Sequence, residues 1–101
     1  MKISILWKGY TSVSPVVSGI SLSVEVTKML EDVFEDLDLN AKHIHTNCDE
    51  ETKEEEHVFE IDRIDDSKWI ELLDHLQDDD FIALFLYDES DMSKPSRYVY
   101  N

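Results

Sequence analysis

Glycine and proline occur twice each in this chain and cysteine once. Each scarcity excludes something. Cys48 alone cannot close an internal disulfide, so the fold has to rest on its core, and the expected compartment is a reducing cytoplasm. With only Gly9 and Gly19, there is no glycine-rich dinucleotide turn and no Walker-type phosphate loop. The serine-hydrolase elbow is missing too. No apolar run approaches a membrane span, and the opening MKISILWKGY lacks the apolar stretch and cleavage site of a signal peptide. Cations are also few: 9 Lys and Arg stand against 24 Asp and Glu, a formal net charge of −15. Such an excess repels phosphate and anionic lipid, so neither nucleic acid nor a membrane surface is expected as a direct partner. A protein with a basic face is. Solubility needs a net charge of only about 2 to 8 in a small domain. Lysine outnumbers arginine seven to two, the reverse of the bias expected from adaptation to high salt.

What the chain does contain is enough apolar material for one core. Hydrophobic residues make up 42% of its 101 residues, which argues for a single folded domain over residues 1–101 and against an acidic disordered chain. Lys2 to Lys8 alternates as a strand, with Ile3, Ile5 and Trp7 on one face. The segment from Gly9 to Gly19, with Pro15 inside it, reads as a long loop. Met29, Leu30, Val33, Phe34 and Leu37 fall at helical spacing, opposite Glu31, Asp32, Glu35, Asp36 and Asp38. Upstream, Ile20, Leu22, Val24 and Val26 alternate as a strand would. The helix therefore starts either near Ser21 or Ser23, or only at Thr27 after a strand.

The stretches NAKHIHTN and HVFEIDR predict two strands of an antiparallel hairpin with a long acidic tip between them. Asp65 is a candidate N-cap for a second helix, with Ile64 and Trp69 placed as a hydrophobic staple. Its buried stripe is expected at Trp69, Ile70, Leu72, Leu73 and Leu76, and its end at Asp78–Asp80, where three carboxylates oppose the helix dipole. FIALFLY reads as a strand buried on both faces, and RYVY as a short edge strand beside it. The order β-α-β-β-α-β predicts an α+β fold: two layers, with an antiparallel or mixed sheet of four or five strands and two helices on one face. A ferredoxin-like split β-α-β is the leading topology.

The sharpest local constellation is His43, His45, Cys48 and His57. Positions 43 and 45 of a regular strand share a face, His57 opens the next strand, and all four residues are competent zinc ligands. Their spacing matches no firm zinc signature, and the plainer reading makes them polar positions on the outer side of a hairpin. The acidic stretch between them has no glycine or alternating ligands of a calcium loop. No cofactor is therefore expected. Carboxylate pairs are too abundant to mark a catalytic site, and the chain is read as a non-enzyme.

The stronger signal is distributed. Carboxylates cluster at Glu31, Asp32, Glu35 and Asp36, at Asp49, Glu50, Glu51, Glu54, Glu55 and Glu56, at Asp78, Asp79 and Asp80, and at Asp88, Glu89 and Asp91. Spread evenly over ~5,900 Å², the net charge gives about one per 400 Å², whereas duplex DNA carries about one per 100 Å². Imitating nucleic acid thus requires the acids to be segregated on one side. Lys28 interrupts the acidic arc of the first helix. Selectivity would come from aromatic anchors beside the acids: Tyr10, Tyr87, Tyr98 and Tyr100 are the candidates. The expected function is that of a small acidic inhibitor, which binds a basic nucleic-acid-handling protein and blocks its site by charge mimicry. Small acidic proteins of this general type occur among phage anti-restriction and anti-CRISPR factors and inhibitors of DNA repair. An immunity protein or antitoxin against a nuclease is the alternative, and a metal-dependent binding module built on the His/Cys group is a further one.

Overall fold

The computed structural model describes residues 1–8, 17–49, 51–77, 80–88 and 94–101, with side chains of the first helix described from Val26 onward. The elements run β1 Lys2–Lys8, α1 Val17–Asp36, β2 Ala41–Asp49, β3 Glu54–Ile61, α2 Asp66–His75, β4 Phe81–Tyr87 and β5 Arg97–Tyr100. The five strands form one antiparallel sheet in the order β2-β3-β1-β4-β5. The domain is α+β. Of the loop expected from Gly9 to Gly19, residues 9–16, with Tyr10 and Pro15, lie outside the described residues, and Val17 to Gly19 instead form the first turn of α1.

Strand alternation decides which side of the sheet becomes the core. Ile3, Ile5 and Trp7 of β1 share a face with Phe59 and Ile61 of β3 and with Leu84 and Leu86 of β4, and all are buried. Leu30, Phe34 and Leu37 of α1 and Trp69, Leu72 and Leu76 from α2 and its C-terminal end close over that face in a single cluster. Both helices therefore cover the same side. Phe34 and Phe59 meet across the layers at 5.0 Å between ring centroids. A register shift between Leu6 and Trp7 skips Ile82 in β4. That bulge turns Phe81 onto the helix side, where its ring lies 6.2 Å from Trp7. FIALFLY is thus an interior strand as its composition predicts, and RYVY is the terminal strand beside it.

Helix α1 begins at Val17 and is continuous through the segment whose alternation resembled a strand. Once the stripe from Val26 to Leu37 forms a helix, each upstream residue adds a hydrogen bond without a new nucleation cost, so the helix extends through a short strand-like pattern. At the other end, the Leu39 N–H donates to the Phe34 carbonyl at 2.9 Å and the Asp38 N–H to Glu35 at 3.0 Å. Asp38 takes φ 59°. This is a Schellman cap with aspartate in the left-handed position usually held by glycine.

The second helix starts as its sequence predicts. Asp65 caps it by accepting from the Lys68 N–H at 2.8 Å, and Ile64 and Trp69 are both buried. Two expectations fail here. Ile70 is 57% exposed, because it lies a helical step away from the stripe made by Trp69, Leu72 and Leu76. The helix also stops at His75 with Leu76 as C-cap, ahead of the acidic triplet. Asp80 instead leads into β4, its carbonyl accepting from the Lys8 N–H at 2.7 Å.

Candidate functional site

The β2–β3 hairpin carries most of the residues with evident chemistry, and it differs from its sequence reading in three ways. Its strands run to Asp49 and resume at Glu54, so the glutamates 54–56 belong to a strand and not to the tip. Asp49 organises the tip, its Oδ1 accepting from the backbone N–H of Glu51 at 2.9 Å and Thr52 at 3.3 Å. Lys53 takes φ 60° to close the turn. Second, alternation then sends Glu54 and Glu56 to one side and Glu55 and His57 to the other, beneath α1. Glu55 and His57 are wholly buried. Glu55 is therefore no part of an acidic surface, and His57 does not lie on the outer side of the hairpin.

The third difference concerns the histidines. The register between β2 and β3 shifts between His43 and His45, and this bulge at Ile44 adds one residue to β2. His43 and Thr46 consequently share the helix side, whereas His45 sits opposite Val58 on the other face. His43 and His45 are not on one face. A polar chain results on the helix side. His43 Nε2 lies 2.8 Å from Thr46 Oγ1, which lies 3.2 Å from His57 Nδ1. Thr27 Oγ1 of α1 reaches the same nitrogen at 3.2 Å. His57 Nε2 is 3.5 Å from Glu55 Oε2, and the Cys48 thiol donates to Glu55 Oε1 at 3.7 Å. Among the described residues, no group of three or more His, Cys, Asp or Glu side chains is arranged to hold a metal ion. Physically, the chain ties the hairpin to α1 and fixes its register, since a slip by one residue would bury different polar groups.

The remaining acids divide between the two sides of the molecule. On the outer surface of α1 and its cap, Glu31, Asp32, Glu35, Asp36 and Asp38 are all exposed, and Lys28 is the exposed cation among them. Glu31 with Glu35 and Asp32 with Asp36 are like-charged pairs four residues apart, each destabilising by about 0.2–0.5 kcal/mol. They occupy the helix's last turns, which contain no basic residue and where the dipole also disfavours anions. On α2, Asp65, Asp66, Glu71 and Asp74 are exposed too. Lys68 lies 3.6 Å from Glu71, and Arg97 donates to Asp66 at 2.6 Å while covering the Trp69 ring at 4.7 Å.

The sheet's other face is balanced by comparison. Lys2 stands opposite Glu60 and Lys8 opposite Glu54, and Lys42 also faces Glu60. Glu56 is held by hydrogen bonds from Ser4 Oγ at 2.7 Å and Asn47 Nδ2 at 3.5 Å. Tyr87, an expected anchor, is buried on this side, and burial, then Glu56 and Tyr100, push its hydroxyl above the ordinary value of 10.0. Tyr98 and Tyr100 are 59% and 64% exposed. Asp80 and Asp88 are exposed beyond the two ends of β4. Glu50, Asp78, Asp79, Glu89 and Asp91 lie outside the described residues.

No family model matches this chain, and neither does any curated protein or solved structure. Among the described residues, no helix is long and apolar enough to cross a membrane.

Proposed function

We propose that this chain is a small acidic inhibitor that presents its helical layer to a basic, nucleic-acid-handling protein and blocks the nucleic-acid site by charge mimicry. One observation carries the reading: exposed carboxylates outnumber lysines along Glu31 to Asp38, while lysines and glutamates oppose one another on the far side of the sheet. Evenly distributed, the charge would amount to about one per 430 Å² over the 6453 Å² surface, well below the density of a duplex. Concentrating it on one layer narrows that gap. The acids sit where helix physics penalises them, which is the pattern expected of residues kept for a partner. A rigid acidic layer also steers a basic protein into encounter and loses little entropy on docking. The antiparallel run β2-β3-β1-β4 supports a further reading of the topology as a ferredoxin-like split β-α-β, to which β5 adds a strand.

The test is competition. A basic protein captured by this chain is titrated with labelled duplex or single-stranded nucleic acid from about 50 to 500 mM salt. Mimicry predicts displacement of the nucleic acid, an affinity that falls with salt, and loss of at least about tenfold in affinity for the Glu31→Gln, Asp32→Asn, Glu35→Gln, Asp36→Asn variant. Nucleic acid remaining bound alongside the chain points instead to an immunity-type protein acting beside the active site. Affinity indifferent both to salt and to the four substitutions removes the helical layer from the interface.

A further inference from the structure

The same strand that sends Arg97 and Val99 toward the helices sends Tyr98 and Tyr100 to the opposite side of the sheet. There they join Phe85 of β4. The ring centroids of Tyr98 and Tyr100 are 5.8 Å apart, those of Phe85 and Tyr100 5.6 Å, and those of Phe85 and Tyr98 6.4 Å. The two tyrosines nonetheless leave most of their surface in water, whereas Trp7, Phe34, Phe59, Trp69 and Phe81 are at most 5% exposed. This cluster takes no part in the proposed acidic interface, since it lies on the other side of the sheet.

Three occupants compete for it. A second copy of this chain would bring two bodies of net charge −15 together, and that repulsion opposes edge-to-edge pairing. Single-stranded nucleic acid stacks on such rings elsewhere, but it relies on a positively charged groove, and a net charge of −15 repels it. A cationic protein segment meets neither obstacle. Aromatic faces attract guanidinium and ammonium groups, and the net charge of the molecule draws in the same partner. The chain already makes this contact internally, with Arg97 stacked over Trp69 on the other side of the same strand. The centroid spacings leave no room for a cation among the three rings, so it must lie on their outer faces. Tyr98 and Tyr100 are two residues apart, about 6.6 Å along a strand, which is the spacing of side chains at alternate positions in an added strand.

We propose that β5 is a docking strand for an extended basic segment of a protein partner, which pairs along the terminal edge of the sheet and stacks arginine or lysine side chains at alternate positions on Tyr98 and Tyr100. The site is independent of the acidic helical layer, and either can fail without the other.

The probe is a synthetic end-capped peptide alternating arginine and threonine, with a glutamine-for-arginine control, titrated into the full chain while backbone amide shifts are followed. Expected are shifts centred on residues 97–100, no binding of the control, and about tenfold weaker binding for Tyr98→Ser with Tyr100→Ser. The Tyr98→Phe, Tyr100→Phe variant keeps the rings and retains affinity. The helical variant carrying Glu31→Gln, Asp32→Asn, Glu35→Gln and Asp36→Asn retains affinity to within about threefold. Thermal unfolding of each variant separates loss of the site from loss of the fold. Three results overturn the proposal: ring removal that leaves affinity unchanged, a helical variant that loses as much as the ring variant, or an oligothymidylate that occupies the rings in place of the peptide. A ring-dependent homodimer in sedimentation would overturn it too, by assigning the strand to a second copy.

Discussion

On the helix-covered side of the sheet, β1 and β3 contribute Ile3, Ile5, Phe59 and Ile61, with Glu55 and His57 as the buried polar residues among them. On the other side the same two strands contribute Lys2, Lys8, Glu54, Glu56 and Glu60, and the neighbouring β4 and β5 contribute Phe85, Tyr98 and Tyr100. One period-2 pattern thus builds both a core and a charged, aromatic surface, and a residue's role is set by whether its number is odd or even within the strand. The difference also explains how the molecule tolerates its charge. On the sheet's outer face Glu54 and Glu60 stand opposite lysines and Glu56 accepts from Ser4 and Asn47, while the acids on the helices mostly lack such partners, so self-repulsion is concentrated in the layer proposed to meet a partner.

The largest effect that tests this comparison comes from two phenylalanines at equivalent depth in the chain's pattern but on opposite sides. Phe59 is wholly buried against Phe34, and Phe59→Ala is expected to cost about 3–5 kcal/mol through lost burial and a cavity. Phe85 is half-buried and packs on two exposed tyrosines. Phe85→Ala is expected to cost about 1–2 kcal/mol, the loss from partial burial. Urea denaturation with unchanged slopes measures both. Equal losses would mean that the aromatic cluster is structural, and would remove its claim to be a free docking surface.

Next in size is the buried polar pair. Glu55→Leu alone leaves His57 without the carboxylate 3.5 Å away, and His57→Leu leaves a buried acid; each is expected to cost about 3 kcal/mol. The Glu55→Leu, His57→Leu double variant is expected to recover much of that loss, because neither the imidazole nor the carboxylate is then left buried without the other. A double-mutant cycle at neutral pH gives the answer. Single losses that simply add in the double variant would show that the pair is not coupled. Each would then contribute through its other contacts, His57 through Thr27 and Thr46 and Glu55 through Cys48.

Much of the architecture was legible because long-range periodicity survives local irregularity. The two-helix, five-strand order, the Asp65 cap, the staple at Ile64 and Trp69, and the interior FIALFLY with RYVY at the edge all follow from patterns within single elements. What was not legible depended on one-residue offsets between elements. The bulge at Ile44 separates His43 from His45, and nothing in HIH announces it, since a bulge is a property of the pairing of two strands. Glu55 looked like one of a run of surface acids until the hairpin proved tighter than its composition suggested. With the strand beginning at Glu54, the parity of position 55 became that of His57 and Phe59. A histidine two residues on, itself at the parity of Phe59, was the one available signal that this glutamate faces inward. The acidic arc of α1, by contrast, was readable in full, because helix periodicity needs no partner strand to define it.

The smallest expected effect concerns the boundary between the two sides, at Tyr87. Its hydroxyl is held above the ordinary value of 10.0, first by burial and then by the negative charge of Glu56 and the proximity of Tyr100. Below that pH the phenol is neutral in both folded and unfolded chains and contributes no pH dependence. As the pH rises through 10, the unfolded chain loses its proton first and the folded chain retains it. The unfolded state then binds fewer protons, so stability falls with increasing pH. Tyr87→Phe removes the titrating group while keeping the ring, and is expected to flatten this alkaline loss while leaving stability at pH 7 within about 1 kcal/mol of the parent. Urea midpoints from pH 8 to 11 for the two proteins measure it. An unchanged alkaline slope in the variant would assign the loss to other groups. It would also indicate that Glu56, held by Ser4 and Asn47 on the sheet's outer face, does not reach Tyr87 electrostatically.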